Sequence, residues 1–518
     1  MNLNNTIKSC SSGGPRQVAF SAVRITQWDY HFSYGKLKYT GSIGGIDSRK
    51  PTCYLQWMNK ISPQTLVLTS ILAFTCVSPV HGIELRDAGT VVDTTVIDTD
   101  YGVQIQPVEA AIPFKNFRYP FVDDQENVLF IGNDPFRYTP AIKGNGIYRS
   151  YAADGRVESL VIQDDPAPDD GRPMGAILGL RTDFRSYVFH RGGDAGTGIY
   201  GSFSGGPLVT IAGLKTVAPG IGVKFSWFWY ADVCGDFVVF NGSPQTDNDW
   251  INGLYLYDHG RKKLSCLLDT NRAIPAAGGI RLGDISPQPR LDKSWLLFAA
   301  SSYTDAAGDQ VSKKGYFGWQ VTEGEDPEKM FSLDRLKVLA PMGMEIPESG
   351  GLPLTSGSNL MSDGGLIAVA AGSTANGTRV GIPKWQAICV RTTDGVWHNP
   401  VDTNTLNPIL NDGSYFTGFN KWVGVDDGKV IFRAYGQNYE ALYVYDVAAE
   451  ALYFVADTRL MIHDKQVASF ETSGHPLVGN RLAMMLYFTD GTAGEYLATL
   501  PKLPTKIVRH AHAAALPR

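Results

Sequence analysis

The sequence predicts an all-β chain folded as a seven-bladed β-propeller closed by its N-terminal strand. Three observations predict it: a turn-rich and aromatic composition, a sevenfold internal repeat, and one repeat element displaced from the end of the array to its beginning. Of 518 residues, 56 are glycine and 11% aromatic, while only 19% are charged. Glycine serves tight turns and aromatic residues fill half-buried strands, so this balance suits many short strands joined by turns. The net charge of −5 and pI near 6.0 come with no basic stripe for nucleic acid and no block of like charge.

The repeat carries the fold. Each unit opens with a short apolar strand: Val128–Phe130, Tyr187–Phe189, Phe237–Phe240, Trp295–Phe298, Leu366–Val369, Val430–Phe432 and Leu482–Met485. A polar loop leads to a Gly-apolar-aromatic element, as in Gly146-Ile147-Tyr148, Gly198-Ile199-Tyr200 and Gly253-Leu254-Tyr255. The fifth unit is degenerate, with Trp385 to Val390 in that place. A third signature, apolar-Asp-Thr, ends units three, five and six at Asp269-Thr270, Asp402-Thr403 and Asp457-Thr458.

The seventh unit runs out near Leu500 without that signature, and a spare copy stands at Val92-Asp93-Thr94. A closed ring accounts for the displacement. An N-terminal strand over Gly89–Val96 is expected to complete the blade built from Leu482 to Leu500, joining two edges that would otherwise be unpaired.

The run Gly413–Phe419, Val430–Ala434, Leu442–Val444 and Val455–Thr458 resembles the tandem repeats of exported bacterial surface proteins. The resemblance implies an extracytoplasmic propeller with no defined activity. The hydrophobic C-terminal anchor of those proteins has no counterpart in the basic stretch Lys502–Arg518, so residues 501–518 are expected to form a disordered tail. In blade number, export and size the chain bears a weaker resemblance to propeller-fold polysaccharide lyases of the ulvan type. Those enzymes cleave uronate polymers by β-elimination, with His and Tyr moving protons and Arg neutralising the carboxylate. Their pair of closely spaced histidines has no match here; His463 and His475 come nearest within the propeller.

Export is read from the N-terminal region. Lys60, the apolar run Leu66–Val77 and the small residues Val80 and Gly82 form a signal-peptide pattern over 58–82. The run is short for a membrane-spanning helix. Met58 would be the natural start, 1–57 an upstream extension without regular structure, and 83–500 the propeller. A secreted or periplasmic monomer without a transmembrane anchor is the expectation. Cys234, Cys266 and Cys389 would remain after processing. Cys234 and Cys266 read as free and buried, with one disulfide open in an oxidising compartment.

Four clusters could carry chemistry. His190 and Arg191 are placed at the end of an inner strand, where a neutral imidazole could take a proton and the guanidinium could neutralise a carboxylate. Arg433 leaves its strand as His190 does, and Tyr435 follows, so this pair could hold a uronate and protonate a leaving oxygen. Phe225–Tyr230 is the third. Alternation sends Trp227 and Trp229 to one face and Phe228 and Tyr230 to the other, and flat aromatic faces suit sugar rings. The acidic loops Asp164–Gly171 and Thr246–Asp249 are the fourth, with oxygens enough for calcium but not its twelve-residue loop pattern. Two functions follow: a lyase acting on uronate polysaccharide, or a non-catalytic propeller that binds a glycan or protein.

Overall fold

The structure is a computed structural model. It describes residues 103–507 except 108–113, 115, 134–143, 154–155, 193–196, 245–250, 271, 275–279, 287, 305–309, 312–314, 342, 374–384, 408 and 410–412, together with short strands at 32–33, 36–37 and 97–98. Contacts divide the chain into Met1–Gly82 and Ile83–Arg518. In the first unit, the described residues form one hairpin, Phe32–Ser33 with Lys36–Leu37. No helix among the described residues is long and apolar enough to cross a membrane.

The second unit is a seven-bladed β-propeller of antiparallel sheets; blades 1 to 6 are built on four strands in chain order, and blade 7 takes its outer strand from the N-terminal side of blade 1. Blade 3 shows the plan with Phe225–Cys234, Phe237–Pro244, Gly253–Asp258 and Lys263–Asp269. The seven apolar runs that open the sequence repeats are the second strands. The innermost strands precede them: Phe117–Val122, Ala176–Thr182, Phe225–Cys234, Ile280–Ile285 with Arg290–Leu291, Ser356–Gly357 with Met361–Asp363, Gly418–Asp426, and Lys465–Glu471 with Leu477–Val478. Inner strands of successive blades pack on one another around the ring, and they define its axis.

Hydrophobic burial lies between blades. Each of the seven apolar clusters joins one adjacent pair, such as Val188 and Ile199 of blade 2 with Phe228 and Val238 of blade 3. Another joins Ala483 and Leu497 of blade 7 to Val128 and Phe130 of blade 1. Alternation within each strand supplies both faces, because successive side chains point to opposite neighbours.

Polar groups stitch blade to blade at the turns that leave the inner strands. Asp183 accepts from Gly235 N at 2.5 Å, Asp232 from Leu291 N at 3.0 Å, and Asp363 from Asp427 N at 2.9 Å. Asp426 accepts from Leu477 N at 2.9 Å, and Arg481 donates to Glu126 at 2.6 Å. Each bond crosses to the following blade, so burial of these groups is offset by a fixed partner.

The Asp-Thr signature has a local cause. Asp402 and Asp457 accept from the backbone N–H two residues on, turning the chain out of the outer strand. Thr403 and Thr458 extend the ladder to the third strand, each donating its N–H to Gln386 or Glu440 and accepting from that residue's N–H through Oγ1.

Gln104–Pro107 is the strand beside Ala493–Thr499, with Ile105 opposite Ala498, and Ile97–Asp98 pairs outside it. That place was expected for Gly89–Val96, which lies outside the described residues. Of the expected tail, only residues 501–507 are described. Lys506–Ile507 pairs with Ala451–Leu452 on the outer edge of blade 6, and Thr505 Oγ1 accepts from Phe454 N at 3.1 Å. Cys234, Cys266 and Cys389 are free thiols, so no disulfide links them.

Candidate functional site in the central channel

Inner strands here are irregular, and irregularity is what frees side chains for the axis. In blade 3, Phe228 pairs with Gly242 and Ala231 with Phe240, so Trp229 and Tyr230 together face the single residue Asn241. A bulge of this kind re-aims side chains and breaks alternation. Phe225, Phe228 and Ala231 are buried while Trp227, Trp229 and Tyr230 are half-buried. Tyr230 therefore does not share a face with Phe228, contrary to the expected alternation. The Trp227 and Trp229 rings meet edge to face, centroids 5.9 Å apart. Tyr230 lies over Gly179 of blade 2, where a Cβ would come within 2.9 Å of its ring; Gly179 also has φ of 63°.

Three charges occupy one register across blades 2, 3 and 4. Arg181 pairs with Val188, Asp232 with Val239 and Arg290 with Leu297, the equivalent rung of each hairpin. All three are almost fully buried, at 2%, 1% and 2% exposure. Arg290 Nη1 stands 3.9 Å from Asp232 Oδ2. The Arg181 guanidinium lies over the Tyr119 ring of blade 1 at 5.3 Å and donates to Leu180 O at 2.9 Å. Burial and the nearby Arg181 push Arg290 down to about 9, against the opposing pull of Asp232, Tyr119 and Tyr230. Groups from four successive blades interact in this way because they converge on the axis. Nε of Arg181 and Nε of Arg290 have no hydrogen-bond partner among the described residues.

The sequence candidates lie elsewhere. His190 and Arg191 are in the second strand of blade 2, not at the end of an inner strand. His190 Nε2 is 2.8 Å from Thr197 Oγ1, and burial pushes its pKa down to about 4. Arg191 is held by Asp170 at 3.4 Å, Tyr200 OH at 3.1 Å and Pro173 O at 3.0 Å. Arg433 is in the second strand of blade 6, bonded to Glu440 at 2.9 Å and to Phe470 O of blade 7. Tyr435 OH accepts from Asn420 at 2.9 Å. Blades 2 and 6 are separated by blades 7 and 1, and no bond between the two sets is present among the described residues. What the structure does bring together is Arg191 and the acidic loop, with Tyr200 OH donating to Asp169 at 3.0 Å.

Three carboxylates of that loop are engaged by protein donors. Asp165 accepts from Ile162 N, Asp169 from Tyr200, and Asp170 from Arg172 and Arg191. Asp247 and Asp249 lie outside the described residues. Among the described residues no group of three His, Cys, Asp or Glu side chains is placed to hold a metal ion.

The channel charges were missed because the inner strands have no long apolar run to announce them. One signal was available: Arg181-Thr182-Asp183 and Arg290-Leu291-Asp292 share an Arg-x-Asp pattern just before a second strand.

No protein-family model matches the chain, and no curated protein matches it in sequence. Among solved structures it is similar to an oligogalacturonate lyase in complex with manganese, with 13% identity, TM-score 0.45, and coverage of 79% of this chain and 96% of that one. The polysaccharide lyase Uly1 aligns at 9% identity and TM-score 0.41, over 74% of this chain and 89% of that one. The β-propeller domain of the Trilobed protease from Pyrococcus furiosus aligns at 10% identity and TM-score 0.40, over 73% and 96%. At such values the likenesses carry no argument about activity, and the seven-bladed β-propeller rests on this chain's own strand order.

Proposed function

We propose that the protein is an exported propeller that binds an extracellular polysaccharide at the axial face of blades 2 to 4. The observation that carries this reading is the aromatic wall of blade 3. Trp227, Trp229 and Tyr230 stay half-buried on an inner strand whose other large residues are buried. Partly exposed aromatic faces beside a channel suit the apolar faces of sugar rings.

The reading has an enzymatic form, β-elimination on a uronate polymer. His190 would take the proton, Arg191 or Arg433 would neutralise the carboxylate, and Tyr435 would protonate the leaving oxygen. Such chemistry needs these groups around one reacting centre. Their separation between blades 2 and 6, and the partners that already occupy them, favour the binding form.

One experiment tests both. The purified protein is mixed with a panel of uronate and neutral polysaccharides, and tryptophan fluorescence is followed alongside absorbance from new unsaturated ends. Fluorescence change without absorbance is the expected result. Growing absorbance that falls about 10²-fold or more in His190→Ala, the scale of a lost general base, would establish the enzymatic form. Silence in both signals would remove the polysaccharide reading.

A further inference from the structure

The Arg181–Asp232–Arg290 row leaves a net positive charge in a place with almost no water. Arginine keeps its proton under ordinary conditions, so the charge cannot be shed as a lysine's can. An uncompensated buried charge is strongly destabilising unless a counter-charge arrives. Asp232 is an incomplete counter-charge. Its Oδ2 accepts from Leu291 N and its Oδ1 from Val233 N, and its approach to Arg290 at 3.9 Å is longer than a hydrogen bond. Nε of each arginine remains unpartnered among the described residues, at sites 2% exposed. Tyr119 and Tyr230, which both interact electrostatically with Arg290, are half-buried and keep some solvent exposure, while the two arginines have almost none.

We propose that this floor is a receptor for a single carboxylate, bound by Arg181 and Arg290 between the rings of Tyr119 and Tyr230. The proposal rests on the polysaccharide reading above for its ligand, an acidic sugar whose carboxylate enters while its ring stays against the aromatic wall. Charge selects the class: two guanidinium groups and one aspartate leave room for one negative charge, not two. Geometry agrees, because the planar guanidinium fork matches a planar carboxylate through paired N–H donors. A neutral sugar would leave the charge uncompensated.

The test uses the full chain with an oligouronate, the same oligomer methyl-esterified, sodium acetate and sodium phosphate, read by calorimetry and melting temperature. The free-acid oligomer should bind at least about tenfold more tightly than its ester, the scale of a lost charge-assisted contact. Arg290→Met and Arg181→Met should each abolish that preference. Both variants should melt no lower than the parent without ligand, since a well-packed apolar side chain replaces a buried charge. A merely structural arginine would give the opposite melting result. Equal binding of acid and ester, or undiminished preference in both variants, overturns the receptor. Stabilisation by phosphate but not acetate overturns the choice of carboxylate. If no oligomer binds but acetate stabilises the parent and not Arg290→Met, the receptor stands and the polysaccharide reading falls.

Discussion

A histidine enclosed without a countercharge reports on protonation through stability. His190 is 8% exposed and its partner, Thr197, is neutral, so the fold holds the uncharged imidazole and its pKa falls to about 4. In the unfolded chain the value is near 6.5. Below that pH the unfolded state binds a proton that the native state refuses, so stability present above pH 6.5 is lost as pH falls toward 4, by roughly 3 kcal/mol at most. His190→Gln keeps a polar side chain without the charge. Its melting temperature should therefore fall less steeply than the parent's between pH 6.5 and 4.5; identical slopes would show that His190 does not titrate on unfolding. The residues that were legible from sequence are those with local jobs. Asp402-Thr403 and Asp457-Thr458 recur because each aspartate turns the chain and each threonine closes a rung. Arg181, Asp232 and Arg290 are brought together only by contacts across blades, which short-range sequence patterns do not report.

At the scale of the strand, the reading succeeded for second strands and failed for inner ones. Second strands such as Phe237–Pro244 are continuous and packed on both faces, so they appear as apolar runs. Inner strands are bulged or split, as between Phe419 and Val423 or between Ile285 and Arg290, and alternation breaks there. The closing strand shows the same limit. Gln104–Pro107 stands as close before Phe117 as other outer strands stand before the next blade, whereas Gly89–Val96 stands farther off. A chain beginning at residue 108 would leave the Ala493–Thr499 edge unpaired, a template for aggregation. It should melt several degrees below the full chain and sediment as larger species; an unchanged monomer would show that the strand contributes nothing to closure.

Around the whole ring the seven interfaces are unequal, and the one that joins the last blade to the first has the smallest buried apolar cluster among the described residues. That cluster is Phe114, Val122, Val128, Phe130, Tyr148, Ala483 and Leu497. Glu495 is in register with Met485, and Met485 with Glu471, on the face that carries Ala483 and Leu497 toward blade 1. Glu471 meets Arg118 of blade 1 at 3.8 Å. Glu495 is 1% exposed, and neither of its oxygens has a hydrogen-bond partner among the described residues. Burial, reinforced by Glu471, raises its pKa well above the usual carboxyl range. The sign of the linkage follows. The folded protein keeps this proton, while the unfolded chain releases it above about pH 4.3. Stability is therefore full below that pH and declines as pH rises toward the folded value. A ring can open at one seam while its other six interfaces remain, so this cost falls where closure has the least apolar burial to offset it. Glu495→Met removes the ionisable group and restores apolar contact across the seam. Its melting temperature should exceed the parent's by a few degrees at pH 7, with the advantage shrinking toward pH 4. Hydrogen exchange should slow first in Ala493–Thr499 and Val128–Gly132, the strands on either side. A variant that gains equally at both pH values would place the benefit in packing alone, and one that gains nothing would show that the seam tolerates the acid without cost.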